Sequence, residues 1–151
     1  MSGGGGRVPA PGRDAYRAFV PITTRWMDND LYGHVNNVVY YSFFDTAVNR
    51  WLIDRGLLDL GGGETIGFVV RTECDYFAPL AYPQAVEAGV AVERLGSSSV
   101  TYRVGVFAVG EEKAAAAGRF VHVYVDRETQ RPRPLSEVWR VGLGEIATGG
   151  K

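Results

Sequence analysis

Residues 38–55 carry the hydrophobic pattern of one long amphipathic helix. Seven apolar residues recur there at intervals of three and four positions: Tyr40, Phe43, Phe44, Ala47, Val48, Trp51 and Leu52. This spacing is the period of a helix that buries one side. Asn36 or Asn37 is expected to cap its start, because an Asn side chain can accept a hydrogen bond from a first-turn N–H, and Gly56 is expected to end it.

Short β-branched and aromatic segments predict five strands around that helix. One strand, over residues 17–27, precedes the helix, and four follow it near residues 66–77, 84–94, 99–109 and 115–125. Apolar and polar residues alternate from Ser99 to Phe107, as expected for a strand with one buried face. The order of these elements predicts an α+β fold, in which an antiparallel β-sheet wraps around one long α-helix.

The chain length of 151 residues predicts a single domain with a substantial core. We expect that domain to cover residues 17–143. Residues 1–16, rich in glycine and proline, are interpreted as a flexible N-terminal tail, and residues 144–151 as a C-terminal tail.

Composition and charge argue against several classes of partner. The 16 Lys and Arg residues nearly balance the 17 Asp and Glu residues, which indicates neither a nucleic acid nor an acidic membrane surface as partner. No apolar run approaches the roughly 20 residues that span a bilayer. The single cysteine, Cys74, excludes an internal disulfide and favours a cytoplasmic location. No Cys/His cluster has metal-ligand spacing, so no metal site is predicted.

A polar turn over residues 28–37 carries the candidate chemistry. It combines two carboxylates (Asp28 and Asp30), one imidazole (His34), several carboxamides and a glycine directly before the predicted helix. A helix N-terminus presents unpaired N–H groups and the positive end of a dipole. Such donors beside a candidate base or nucleophile form half of an acyl-transfer site.

The turn, the helix and the later strands together resemble the hotdog-fold thioesterases of the 4-hydroxybenzoyl-CoA thioesterase type. The matching segments are Arg25–Asp30, Gly33–Asn37, Asp75–Leu80, Leu95–Ser99 and Val123–Asp126, together with Tyr40 and Asp45. The resemblance covers about residues 17–143. It implies a sheet curved around the long helix, and homodimers, often paired into tetramers, that form the active site at a subunit interface.

The resemblance also implies the catalytic roles. The family's catalytic carboxylate falls on Asp30, which would attack the thioester or activate water. Its carbonyl-polarising donor falls on the backbone N–H of Asn37, and Gly33 would let the backbone approach the thioester. No cofactor is implied, because CoA enters as part of the substrate. Some relatives carry a histidine at the position of Asn37, so the asparagine here argues against an imidazole catalyst at that point.

Other residues receive supporting or binding roles. Asp28, His34 and Asn36 are expected to support the turn, and His34 to act mainly as a hydrogen bonder. The expected substrate-binding residues are Asp45, Tyr40, Phe68, Val70, Ser98 and Ser99. Asp45 could equally make a structural bond or face a dimer partner. His122 lies in an alternating segment and is interpreted as a strand residue.

The sequence therefore predicts an acyl-CoA thioesterase that releases a carboxylate and free CoA. Two alternatives stay open. The first is hydrolysis of thioesters on acyl carrier protein, which differs only in what holds the pantetheine. The second is a non-catalytic acyl-thioester-binding protein, because one fold hosts many functions.

Overall fold

The computed structural model describes residues 8–59 and 61–148, which fold into one antiparallel sheet and two α-helices. The elements are β1 (Ala18–Ile22), α1 (Val39–Asp54), β2 (Thr65–Tyr76), β3 (Val86–Leu95), β4 (Ser99–Ala108), β5 (Ala116–Asp126) and α2 (Glu137–Gly144). The predictions of α1 and of the four later strands are confirmed. The first strand is shorter than predicted, because the chain leaves the sheet after Ile22 and forms a 3-10 turn at Trp26–Asp28.

The five strands lie in the order β1-β3-β4-β5-β2, and every neighbouring pair is antiparallel. Helix α1 packs on one face of this sheet. Its residues Phe44, Ala47, Val48 and Leu52 are fully buried against alternating residues of β3, β4 and β5. Each large apolar side chain buried in this way contributes about 1.5–3 kcal/mol to stability. The expected α+β fold, an antiparallel sheet against one long helix, is confirmed.

The structure corrects both predicted tails. Tyr16 is buried against Phe107 on the sheet face opposite α1, with 5.7 Å between the ring centroids. A Cβ atom at Gly89 or Gly105 would lie within 2.7 Å of the Tyr16 side chain, so this packing requires glycine on two neighbouring strands. At the other terminus, Ile146 is buried and the N–H of Thr148 donates to the carbonyl of Val92.

Residues 13–16 and 144–148 therefore belong to the folded domain, and the prediction that they form tails is wrong. Within the rest of the predicted N-terminal tail, the carbonyl of Pro11 accepts a hydrogen bond from the N–H of Ala114 at 2.9 Å. Residues 1–7 and 149–151 lie outside the described residues. Helix α2 was also not predicted. It begins at Ser136, whose hydroxyl accepts a hydrogen bond from the N–H of Trp139, and it buries Trp139 and Leu143. No helix in the described ranges is long and apolar enough to cross a membrane.

His122 belongs to a buried polar chain beneath α1, on β5 as the alternation predicted. Its Nδ1 atom lies 3.0 Å from the hydroxyl of Tyr124, which lies 2.8 Å from the hydroxyl of Tyr102. Its Nε2 atom is buried without a hydrogen-bond partner among the described residues. Both tyrosines stay neutral because burial raises their pKa values, so neither supplies a charge that would favour imidazolium. Burial lowers the pKa of His122 to about 4.

We expect His122 to make the protein less stable as the pH falls from about 6.5 to 4. In this window the unfolded chain binds a proton that the folded chain excludes, so stability is complete above the unfolded pKa and is lost below it. Urea denaturation measures the free energy of unfolding at each pH. Between pH 7 and pH 5 this free energy should fall by roughly 2 kcal/mol more in the wild type than in His122→Gln. His34→Gln, which replaces an exposed imidazole, is the control and should keep the wild-type pH dependence. An equal pH dependence in His122→Gln and the wild type would contradict the assignment.

Candidate active site

A buried carboxylate fixes the entrance to the polar turn. The side chain of Asp28 is only 1 % exposed, and its Oδ2 accepts a hydrogen bond from the backbone N–H of Arg25 at 2.8 Å. Its Oδ1 pairs with the Arg25 guanidinium, 2.9 Å from Nη2. The carbonyl of Asp28 also accepts from the N–H of Asn36 at 2.8 Å, which joins the two ends of the turn. The orienting role of Asp28 stays a prediction, and these contacts hold both ends of the turn in place.

Asp30 is held by the backbone of the loop that it begins. Its N–H donates to the carbonyl of His34 at 2.8 Å, and its carbonyl accepts from Gly33 at 3.0 Å. Its carboxylate Oδ1 accepts from the N–H groups of Tyr32 and His34, at 2.9 and 3.4 Å. Its Oδ2 has no hydrogen-bond partner among the residues that the structure describes. One oxygen thus orients the carboxylate and the other is available for chemistry.

Gly33 and His34 shape this loop through their backbones. Gly33 has a φ of +81°, a conformation that strains any residue with a Cβ atom, although a Cβ there would meet nothing within 4 Å. The His34 imidazole is exposed and makes no hydrogen bond to the described residues, whereas its N–H and carbonyl both bind Asp30. His34 therefore holds the turn through its main chain and not through the imidazole.

The backbone N–H of Asn37, just before α1, is a donor without a partner among the described residues. The N–H of Val38 donates to Oδ1 of Asn36 at 3.1 Å, and the N–H of Val39 donates to the carbonyl of Asn36 at 2.9 Å. Asn37 is exposed, and its N–H has no partner within residues 8–59 and 61–148. This N–H lies at the positive end of the helix dipole, as an oxyanion donor should.

The capping predictions for α1 are partly right. Val38 occupies the N-cap position, not Asn36 or Asn37. The Asn36 side chain nevertheless accepts a hydrogen bond from the N–H of Val38. At the other end Gly56, with a φ of +74°, follows the last helical turn as predicted.

Three hydrogen bonds attach the turn to the segment that ends β2 and leads to β3. The N–H of Val35 donates to the carbonyl of Leu80, and Oδ1 of Asn29 accepts from the N–H of Tyr82. The hydroxyl of Tyr76 donates to the carbonyl of Asn37 at 3.0 Å. Sequence reasoning missed this contact of Tyr76, since an aromatic residue at strand spacing is by default a core residue.

Two predicted substrate-binding residues lie on α1 near this turn. Tyr40 is buried, with its ring edge-on to Tyr76 at 5.2 Å between centroids, and burial raises its pKa to about 12. Its hydroxyl therefore stays protonated at neutral pH. Asp45 is exposed, and its Oδ1 accepts from the side-chain amide of Asn49 at 3.1 Å. The structural bond that was one expected role of Asp45 is thus present.

The other predicted substrate-binding residues lie away from Asp30 in the single chain. Phe68 and Val70 are exposed on the edge strand β2, and Ser98 and Ser99 form the turn between β3 and β4. This turn lies at the opposite end of the sheet from the polar turn. The ten residues of β4 separate the two ends by roughly 30 Å. A single chain therefore does not bring these four predicted substrate-binding residues next to Asp30.

A cation that the sequence did not indicate lies at that distant turn. Arg140 of α2 donates from Nη2 to the carbonyl of Gly96 at 2.7 Å. The turn itself, Gly96-Ser97-Ser98-Ser99, carries no basic side chain. Because α2 was not predicted, nothing in the sequence pattern placed Arg140 there.

Comparison with known proteins decides the family. The sequence profile of the thioesterase-like superfamily matches residues 24–143, from the polar turn to the second helix. The chain belongs to this superfamily. It is therefore a thioester hydrolase, and the resemblance seen in its sequence is confirmed at this level.

Solved structures agree with the superfamily and with the fold. The PA5185 protein of Pseudomonas aeruginosa is 55 % identical, with 95 % of this chain and all of that chain covered and a TM-score of 0.90. A thioesterase of Thermus thermophilus, in complex with coenzyme A and Zn, is 32 % identical over 87 % of this chain and 95 % of its own, with a TM-score of 0.72.

A more distant likeness shows the fold alone. Slr0204, a 1,4-dihydroxy-2-naphthoyl-CoA thioesterase from Synechocystis, is 15 % identical, with a TM-score of 0.75 over 85 % of this chain and 96 % of its own. That structure therefore shares the arrangement of sheet and helix found here.

Proposed function

We propose that the protein is an acyl-CoA thioesterase of the 4-hydroxybenzoyl-CoA thioesterase type, which hydrolyses acyl-CoA to a carboxylate and free CoA. One observation carries the proposal. The same hydrogen-bonded segment presents an oriented carboxylate, with Oδ2 of Asp30 available, and a free helix N-terminal donor, the N–H of Asn37. These are the two groups that acyl transfer to water needs.

Hydrolysis at this site has two possible first steps. In one, Asp30 removes a proton from water as the water oxygen attacks the thioester carbonyl. In the other, Asp30 attacks the carbonyl itself, and water then hydrolyses the resulting anhydride. In both, the Asn37 N–H binds the developing oxyanion, and collapse of the tetrahedral intermediate breaks the C–S bond and releases the CoA thiolate. Neither step calls for a cofactor.

The thioester carrier is the second element of the proposal. The Thermus thermophilus thioesterase, 32 % identical, holds coenzyme A in its crystal structure. This favours CoA over acyl carrier protein as the carrier here.

We also propose that the working enzyme is at least a homodimer paired through β2. This strand is an edge of the sheet, and Phe68, Val69 and Val70 along it are 43, 49 and 57 % exposed. An unpaired, apolar edge strand is a ready surface for another strand. Antiparallel pairing of two β2 strands would also bring the β3–β4 turn of one copy towards the Asp30 end of the other, which would unite the two groups of site residues.

The first prediction from this proposal concerns Asp30. With a panel of acyl-CoA substrates and detection of free thiol, Asp30→Asn should lower kcat at least ~10²-fold on the best substrate, because it removes the base or nucleophile while keeping the shape. Asp54→Asn, which removes an exposed carboxylate at the end of α1, is the matched control and should keep wild-type kcat. If Asp30→Asn kept more than about a tenth of wild-type kcat, the assignment would be wrong.

The second prediction concerns the edge strand. Light scattering should give the wild type a mass of at least twice the 16.5 kDa of one chain. Val70→Lys should shift the protein towards monomer and lower its activity, since a charged edge strand resists pairing. Val138→Lys adds the same charge at a 69 % exposed valine of α2 and should change neither the mass nor the activity. An active wild-type monomer would contradict the shared site.

A further inference from the structure

Tyr76 ties the start of α1 to the edge strand of the sheet. It is the last residue of β2, and its hydroxyl donates to the carbonyl of Asn37, 39 positions earlier in the chain, at 3.0 Å. Its ring packs edge-on against the buried ring of Tyr40, with an interplanar angle of 79°. Strand and helix are therefore joined beside the residue whose N–H is the proposed oxyanion donor.

The peptide group between Asn37 and Val38 is held at both ends. The Tyr76 hydroxyl binds its carbonyl, and Oδ1 of Asn36 binds its N–H at 3.1 Å. The preceding peptide group is held through its carbonyl, which accepts from the N–H of Val39 at 2.9 Å. The N–H of Asn37 belongs to that preceding group. Because both flanking peptide planes are fixed, the backbone of Asn37 cannot rotate freely.

This restraint matters for catalysis because an oxyanion donor acts only when it is oriented in advance. A donor that must reorient during the reaction spends free energy on reorganisation and stabilises the oxyanion less. Rotation of the Asn37 peptides would also turn a carbonyl oxygen, which repels the developing negative charge, towards the acyl group. A hydroxyl that holds this carbonyl opposes both effects.

We propose that Tyr76 is a positioning residue for thioester hydrolysis, which orients the Asn37 N–H by binding the Asn37 carbonyl. This inference rests on the proposed function. It predicts an effect on the chemical step and little effect on substrate binding, because Tyr76 acts through the backbone and stabilises the transition state more than the ground state.

The test is the substitution Tyr76→Phe, which removes the hydroxyl and keeps the ring against Tyr40. We expect kcat to fall about 5–10-fold, the scale of one lost hydrogen bond, while KM changes less than about 2-fold. Tyr41→Phe removes a hydroxyl from a 42 % exposed tyrosine in the first turn of α1 and should leave both constants unchanged. Thermal unfolding of each variant measures any general loss of stability.

A second pair of variants separates positioning from a merely structural role. Asn37→Pro removes the backbone N–H, whereas Asn37→Ala keeps it. If Tyr76 acts by orienting that N–H, Tyr76→Phe should lower kcat in the Asn37→Ala background and have no further effect in the Asn37→Pro background. If Tyr76→Phe lowered kcat by the same factor in both backgrounds, the inference would be overturned.

The remaining outcomes also discriminate. If the wild type is active, Asp30→Asn is inactive and Tyr76→Phe has wild-type kcat, the positioning role is wrong and the proposed function stands. If the wild type hydrolyses no thioester, both fall. If Asn37→Pro fails to fold, the kinetic constants of Tyr76→Phe alone decide. A raised KM with unchanged kcat would then overturn the inference.

Discussion

The candidate site depends on the pairing of the buried carboxylate of Asp28 with Arg25. A buried carboxylate is tolerated only when it is paired and hydrogen-bonded, and here the backbone and guanidinium of Arg25 supply those bonds. The carbonyl of Asp28 accepts a hydrogen bond from the N–H of Asn36, so the chain must return to this point before α1 can begin. Between these two fixed ends the loop presents Asp30, and Asn37 follows directly after the second end. The geometry of the candidate site therefore follows from a stabilising interaction outside the Asp30 and Asn37 pair.

The sheet gives the site its second constraint, because its two ends carry different parts of the expected machinery. The polar turn packs near the end of β2 at Tyr76, whereas Ser98 and Ser99 lie at the far end of the same sheet. The exposed middle of β2 lies between them on an open edge. Antiparallel pairing of this edge with a second copy would account for both features.

Local periodicity in the sequence predicted most of the fold, and contacts between distant residues account for the errors. The three- and four-residue spacing placed α1, and alternation placed the four later strands. Tyr16 was misread as part of a tail, since its burial depends on Gly89 and Gly105, which are distant in sequence. In the site, motif resemblance pointed to Asp30 and Asn37, but no local pattern could show that the Tyr76 hydroxyl reaches the helix start.

The most direct test of the account is whether the Asn37 N–H binds the acyl carbonyl. The probe is an acyl-CoA analogue in which a methylene group replaces the thioester sulfur, so that the carbonyl remains and hydrolysis cannot occur. In amide NMR spectra of the wild type, saturating analogue should shift the Asn37 proton downfield, while the Val38 proton, already bonded to Asn36, moves little. An Asn37 resonance that stays in place while the analogue binds would contradict the account.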